Sequence, residues 1–449
     1  MTAELRGDVV KPRHFSRKQL EKLQRLTFGY FLNETNKENG LVLDSTRQGS
    51  PCSIAATGFA LAAYPVGVQR GFIARKDAVK RVLTTLRFFF NSPHGTEADA
   101  TGYKGFYYHF LDIKTGRRIW NSELSTIDST FLIAGALTAG QYFDRDTTDE
   151  RELRKLADDI YHRADWQWAQ NRGRTVSHGW RPESGFIKYR WEGFDEAIIL
   201  YVLGLASPGH PLPESSYRTW ATTYQWKKLY GIQYLHAGSL FIHQLSHMWI
   251  DFRGIQDQFM RKHGIDYFEN SRRATYVQQQ YGIRNPRGFR GYSEYIWGLT
   301  ASDGPGPAIL KIDGKLRKFY DYKNRGAPFG PDDGTLAPWA VIASLPFAPE
   351  IVLPSIRHFD DTYPEMTSKY GFKCSFNPTF SEASNKGWIS KGYYGLDQGP
   401  IVLMIENYLS GFLWDLMKKC PYIVEGLRRA DFQGGWLETA AAKKSSETT

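Results

Sequence analysis

Apolar residues recur at helical spacing through most of the chain. Residues 16–33 predict an amphipathic helix, because Leu20, Leu23, Leu26, Thr27 and Tyr30 fall near one face and Ser16 stands where an N-cap belongs. Residues 53–64 predict a second helix, so rich in small side chains that a neighbour can pack close. Residues 75–91 predict a third, stopped by an Asn-Ser-Pro turn. Residues 102–120 instead alternate aromatic and polar side chains, among them Tyr103, Tyr107, His109 and Phe110, and predict a short hairpin. Helices are expected again over 122–142, 149–169, 197–205, 234–251, 257–281, 336–342, 351–360 and 399–416. Between them lie a polar loop holding Asp44, a turn-rich stretch at 285–324 and a loop at 370–393.

About ten to twelve helices arriving in pairs, with few strands, define an all-α fold. Residues 1–439 are expected to form one domain, since no Ser/Gly/Pro-rich linker divides them. Residues 440–449 are small and charged and read as a disordered tail. Helix hairpins set in a ring, an (α/α) toroid, would leave long loops at one end to build a cleft.

Composition narrows the function classes. The chain has 449 residues, 41% of them hydrophobic and 15% aromatic. Such aromatic richness suits stacking on an uncharged, hydroxylated ligand, although large cores use aromatics too. The net charge of +10 is scattered, with no polybasic arm and no nucleic-acid signature, so no nucleic-acid partner is expected. The charge leaves an acidic polysaccharide possible as substrate. Three cysteines at wide spacing make neither a disulfide framework nor a metal ribbon. No apolar run is long enough to span a bilayer. The start is polar and lacks the apolar core of a signal peptide, which predicts a cytoplasmic protein, or a periplasmic or secreted one if a leader is missing from this chain. A monomer with no cofactor is expected.

The densest chemistry lies between residues 180 and 211. Trp180, Tyr189, Trp191 and Phe194 offer flat faces, Gly193 breaks the chain, and Asp195 and Glu196 stand at the mouth of an apolar helix. A carboxylate at a helix mouth beside aromatics can grip a sugar and protonate a glycosidic oxygen. It can equally be a helix cap. Asp128, in the first turns of an apolar helix, and Asp397, just before another, carry the same two readings. Asp303 and the pair Asp332–Asp333 read first as turn residues. His243 and His247 are spaced i, i+4 with Asp251 one turn on, but position 244 is Gln and not the glutamate of a metalloprotease helix. A histidine face on a polar cleft is therefore preferred to a zinc site, and no metal is expected.

Taken in order, several motifs resemble one family. They are Thr-Phe-Gly-Tyr-Phe at 27–31, Ser-Thr-Ile-Asp-Ser-Thr at 125–130, Phe-Asp-Glu-Ala at 194–197 and His-Gln-Leu-Ser-His-Met-Trp-Ile-Asp-Phe-Arg-Gly at 243–254. Trp-Gly-Leu-Thr-Ala-Ser-Asp-Gly-Pro at 297–305, Asp-Asp-Gly-Thr-Leu-Ala-Pro at 332–338 and Leu-Asp-Gln-Gly-Pro-Ile-Val-Leu-Met-Ile-Glu-Asn-Tyr at 396–408 continue the series. Over about residues 18–430 the chain resembles the bacterial glucoamylase-like family, glycoside hydrolase family 144. That resemblance implies an (α/α)6 barrel that cleaves β-1,2-glucan, mostly endolytically, releasing short oligosaccharides such as sophorose. It implies Glu196 as general acid, Asp128 as an essential acid beside the cleft and Asp397 as a candidate base. Trp180, Tyr189, Trp191, Trp249, Trp297 and Tyr394 become candidates to stack on sugars, and His243, His247, Arg253 and Asp303 to bind hydroxyls. Two positions depart from the pattern: Phe-Asp-Glu stands where Tyr-Asn-Glu is common, and Ser125 stands where some members carry a second acid. The rival readings are a transglycosylase, an exo-acting hydrolase of β-1,2-glucooligosaccharides, a lyase for acidic polysaccharides and a non-catalytic glycan-binding protein.

Overall fold

Two kinds of helix make up the protein, and burial separates them. The computed structural model describes residues 15–380 and 387–438, so the expected tail at 440–449 lies outside the described residues. Helices Ile54–Gln69, Thr126–Tyr142, Ile198–Ala206, Pro338–Ala343 and Gly395–Leu409 are buried on nearly every side. Helices Arg17–Asn33, Arg75–Asn91, Thr148–His162 and Pro349–Thr362 bury one face only. A helix apolar all round must be surrounded, and a striped one must cover it.

The buried helices follow one another in space as well as in sequence. Ile54–Gln69 packs on Thr126–Tyr142, which packs on Ile198–Ala206. The Ile199 amide then donates to Ser246 Oγ at 3.2 Å. Gln244 Nε2 donates to the Ala340 carbonyl at 2.6 Å and to Ser344 Oγ at 2.8 Å. Pro338–Ala343 packs on Gly395–Leu409, and that helix packs back on Ile54–Gln69. The striped helices lie outside: Arg17–Asn33 on Gly395–Leu409, Thr148–His162 on Thr126–Tyr142, and Pro349–Thr362 on Pro338–Ala343. Nearly all buried apolar residues form one contiguous core from Phe15 to Leu437, with Tyr234, Ala274 and Val277 as a small separate cluster.

The small residues of the second helix have the use their pattern suggests. A Cβ on Gly58 would stand 2.4 Å from the Phe131 carbonyl oxygen, and one on Gly135 would stand 2.0 Å from that of Gly58. The two innermost helices therefore touch backbone to backbone. Ser16, Ser53, Ser125 and Thr147 cap their helices by accepting from the amide three residues on.

The helix expected over 234–251 is not one. Strand Ile232–Leu235 pairs with Trp226–Leu229, and two 3-10 turns follow, Leu240–His243 and Leu245–Met248. Here the segment bonds to its neighbours through the Leu240 amide, Gln244 and Ser246, and these lateral bonds replace an α-helical ladder. The helix expected over 257–281 breaks into Gln258–His263 and Tyr267–Arg284, the second capped by Asp266. The one expected over 399–416 starts earlier and splits into Gly395–Leu409 and Phe412–Met417. The 102–120 hairpin is present and joins a small antiparallel sheet with Leu124–Ser125, Gly179–Arg181 and Gly185–Phe186. No helix among the described residues is long and apolar enough to cross a membrane.

Candidate active site

The leading ends of the buried segments converge on one cleft of about 720 Å³. Its wall is built by Ser53, Asp128, Glu196, Phe241, Leu245, Trp339 and Leu396, one at or just before the start of each buried helix or 3-10 segment, with Asp44, His109, Glu123 and Arg181 supplied by loops and the small sheet.

Glu196 reaches this wall because of the turn before it. Gly193 takes φ +84°, a conformation that glycine adopts without cost, and its amide donates to the Trp220 carbonyl at 2.9 Å. The chain then presents Asp195 and Glu196 in different directions. Asp195 Oδ1 accepts from the Ala197 amide at 3.0 Å and from Trp220 Nε1 at 3.1 Å. Glu196 points into the cleft, and its carbonyl is held by Ser246 Oγ at 3.0 Å. Withdrawal from water, with the Asp128 charge adding to it, pushes the Glu196 carboxyl up to about 7. Asp195 is raised well above the ordinary carboxylate range, by burial first and by Glu196 second.

Across the cleft a histidine stands between two acids. His109 Nδ1 lies 3.0 Å from Glu123 Oε1 and its Nε2 lies 3.7 Å from Asp128 Oδ2. The ring is stacked on Phe110, with centroids 3.9 Å apart. Burial alone would lower the imidazole, but Asp128 and Glu123 outweigh it and raise it to about 9. His109 is therefore a cation at neutral pH. Asp128 also accepts a 2.5 Å hydrogen bond from Ser125, the residue that caps its helix. Asp44 is lifted to about 6, chiefly by burial, with His109 opposing the rise.

The remaining sequence candidates divide by place. Tyr189, Trp191 and Tyr394 line the cleft. Tyr189 is exposed, whereas Trp191 has His178 stacked on its ring at 3.9 Å and donates from Nε1 to Thr126 Oγ1 at 2.9 Å. Arg47 lies over Tyr394, 5.6 Å from the ring centroid, and Tyr322 stands beside it. Asp303 is one layer back, where it holds Arg47 at 2.5 Å and accepts from Ser390 Oγ at 2.7 Å. Asp397 is also behind the wall: it is buried and hydrogen-bonded to the Cys374 thiol, and burial raises its carboxyl well above the usual range.

Six further candidates lie away from the cleft wall. Trp180 packs on Tyr103 and Trp168 in the small sheet. Trp249 lies in the core against Phe59 and Phe131, and Trp297 bonds Ser355 there. His243 and His247 are buried among rings, and burial lowers both to about 3, so they are neutral core histidines. His247 Nε2 bonds Ser271 Oγ at 2.9 Å and His243 Nε2 bonds the Ala237 carbonyl at 3.2 Å. Arg253 pairs with Asp251 at 2.7 Å and covers Trp414. These six carry apolar or paired surfaces that the core uses. No group of His, Cys, Asp and Glu among the described residues is placed to hold a metal.

Sequence reasoning left His109, Glu123 and Asp44 without a role. Glu123 stands two residues before the 125–130 motif that contains Asp128, and that closeness is the signal that was present. Nothing in the sequence brings His109 or Asp44 to them, because those contacts span separate loops.

The chain belongs to the Glycoamylase family, whose model matches residues 188–421. It is 26% identical to an exo β-1,2-glucooligosaccharide sophorohydrolase (non-reducing end) of Parabacteroides distasonis, over 91% of this chain. The chain spans 57% of that relative's length. A Bacteroides uniformis protein named for glucoamylase superposes with a TM-score of 0.83 at 31% identity, over 94% of this chain and 99% of that one. An endo-β-1,2-glucanase from Chitinophaga pinensis, solved with sophorotriose and glucose, gives 0.78 at 25% identity, over 94% and 99%.

Proposed function

We propose that this chain is an (α/α)6-barrel hydrolase that cleaves β-1,2-glucan by general acid–base catalysis. The barrel reading is supported by the cycle of buried segments, three of them with a striped helix packed outside, and by one domain's worth of continuous core. The substrate reading is supported by the sophorohydrolase and endoglucanase relatives. The observation that carries the chemistry is Glu196, a carboxyl on the cleft wall with its titration moved up to about 7.

At neutral pH a large share of Glu196 is protonated and can hand its proton to the leaving glycosidic oxygen. Asp128, fixed by Ser125 and neighboured by the His109 cation, is the wall carboxylate that polarises the attacking water. His109 offsets charge as the two acids exchange roles, and Glu123 holds its ring through Nδ1. Asp397 supports from behind Tyr394, because its carboxyl is not on the wall. Tyr189 and Tyr322 are exposed at the rim, which favours a chain that runs on past the cleft and hence endo-type attack.

The test is incubation with linear β-1,2-glucan beside β-1,3-glucan, starch and alginate, following product size. A rapid fall in chain length of β-1,2-glucan alone is expected. Sophorose released from the first minutes with the polymer still long would replace endo by exo action. Shortening of another polymer would overturn the linkage. Asp128→Asn is expected to cost more activity than Asp397→Asn, and the reverse order would move the base to Asp397.

A further inference from the structure

Trp120 is an exposed aromatic that the reaction centre does not use. Its side chain belongs to a residue 61% exposed, and its backbone has φ +59°. Asn121 follows at φ +49°. Two successive non-glycine residues in the left-handed region, one of them an indole, persist only where the surroundings hold them.

The surroundings do hold them. The Arg118 side chain is 2% exposed and forks onto Glu183 at 2.5 and 3.1 Å. Arg118 also donates to the Ser122 carbonyl at 2.6 Å and the Ala98 carbonyl at 3.1 Å, and lies over the Tyr108 ring. The Ile119 amide donates to the Phe110 carbonyl at 3.2 Å, and Ser122 Oγ bonds both the amide and the carbonyl of Phe110. The turn is thus fastened to Phe110, and the Trp120 ring rests against that phenyl with centroids 5.3 Å apart. Phe110 is itself part of the cleft wall. A pinned and strained turn holds an indole out in water, continuous with the wall that carries Asp128.

We propose that Trp120 is an outlying sugar platform, on which a glucosyl residue of a long substrate chain stacks beyond the unit whose bond is cleaved. The C–H face of a pyranose packs on an indole, and the ring offers that face ready-made. This inference rests on the glucan-hydrolase reading of the cleft.

Trp120→Gly tests it well, because glycine removes the ring and also relieves the left-handed backbone, so Tm holds or rises. On polymeric β-1,2-glucan kcat/KM is expected to fall about tenfold, the loss shrinking to about twofold or less on the shortest oligosaccharide the wild type cleaves. Trp120→Phe recovers most of the loss. Equal losses at every chain length, or none on the polymer, overturn the platform. If wild type leaves β-1,2-glucan intact, the substrate reading fails separately. Trp120 is then judged by affinity electrophoresis of the Glu196→Gln protein in gels holding each of the four glycans. Retardation weakened by Trp120→Gly supports the platform; retardation unchanged, or none in any gel, overturns it.

Discussion

Two pairs of adjacent carboxylates precede two of the buried helices, and they meet opposite fates. Asp332 and Asp333 stand before Pro338–Ala343, and every oxygen they own is bonded. Asp332 accepts from the hydroxyls of Tyr281 at 2.8 Å and Tyr292 at 2.7 Å and from the Gly334 amide at 3.0 Å. Asp333 takes the fork of Arg325 at 2.7 and 2.9 Å together with the amides of Tyr320 and Thr335. Asp195 and Glu196 stand before Ile198–Ala206, and only Asp195 is bound inward. Glu196 keeps its carboxyl on the cleft wall with little beyond its own amide to stabilise a charge there. Burial acts on all four residues. Where an arginine answers the burial, as at Asp333, the carboxylate becomes structure; at Glu196, where no cation answers it, the acid still holds its proton near neutrality.

The comparison breaks most sharply at Glu196 itself. Glu196→Gln should lower kcat on β-1,2-glucan by about 10²–10⁴-fold with the fold intact. Near-normal turnover by that variant would remove Glu196 from the chemistry. Asp333→Ala should do the reverse. It leaves the fully buried Arg325 without its counter-ion and should cost about 3–5 kcal/mol in denaturant unfolding. A loss under about 1 kcal/mol would mean that Arg325 finds its partners elsewhere, among the carbonyls of Ser302 and Lys323.

Glu196 and Asp333 answer pH with opposite sign, while burial raises the Asp332 carboxyl as it does Glu196. Glu196 is raised from 4.5 to about 7 in the folded protein, so its neutral form favours folding. That contribution is complete below about 4.5 and is lost as pH rises through about 7. Asp333 would be raised by burial alone, but Arg325 holds it below its ordinary value. Its contribution is present above the ordinary carboxylate range and is lost on acidification. Glu196→Gln should therefore exceed wild type in stability above pH 7, by up to about 3 kcal/mol, while kcat/KM of wild type declines over the same range. Unfolding curves that keep the same difference between wild type and variant from pH 5 to 9 would contradict the raised carboxyl.

The helical periods made the ring of helices legible, because a helix apolar on all sides has few places to go. Ser16 and Gly193 were legible too, each by a local rule of capping or turn geometry. The acids at helix mouths were visible, but not which of them faces the cleft. That depends on partners outside each motif: Trp220 for Asp195, Cys374 for Asp397, Arg325 for Asp333. The segment 234–251 misled because its apolar spacing fits a helix, while lateral bonds through Gln244 and Ser246 tie it to its neighbours. Its histidines, at catalytic-looking spacing, share that fate in the core.

The smallest expected effect belongs to Asp195. Its carboxyl is raised well above the ordinary range by burial and then by the neighbouring Glu196, so the two acids titrate as a coupled pair. Burial favours the neutral form of Asp195. Asn has the same shape as the protonated acid, and its carbonyl can accept from the Ala197 amide and from Trp220 Nε1 as Asp195 does. Asp195→Asn should therefore cost under about 1 kcal/mol of stability and leave the alkaline limb of kcat/KM where it is. A limb displaced downward by about a unit or more would show that Asp195 carries charge while Glu196 titrates, since removing a neighbouring anion makes Glu196 a stronger acid. Asp195 would then join the reaction as the group that keeps the acid protonated, and the contrast with Asp332–Asp333 would lie in both members of the pair.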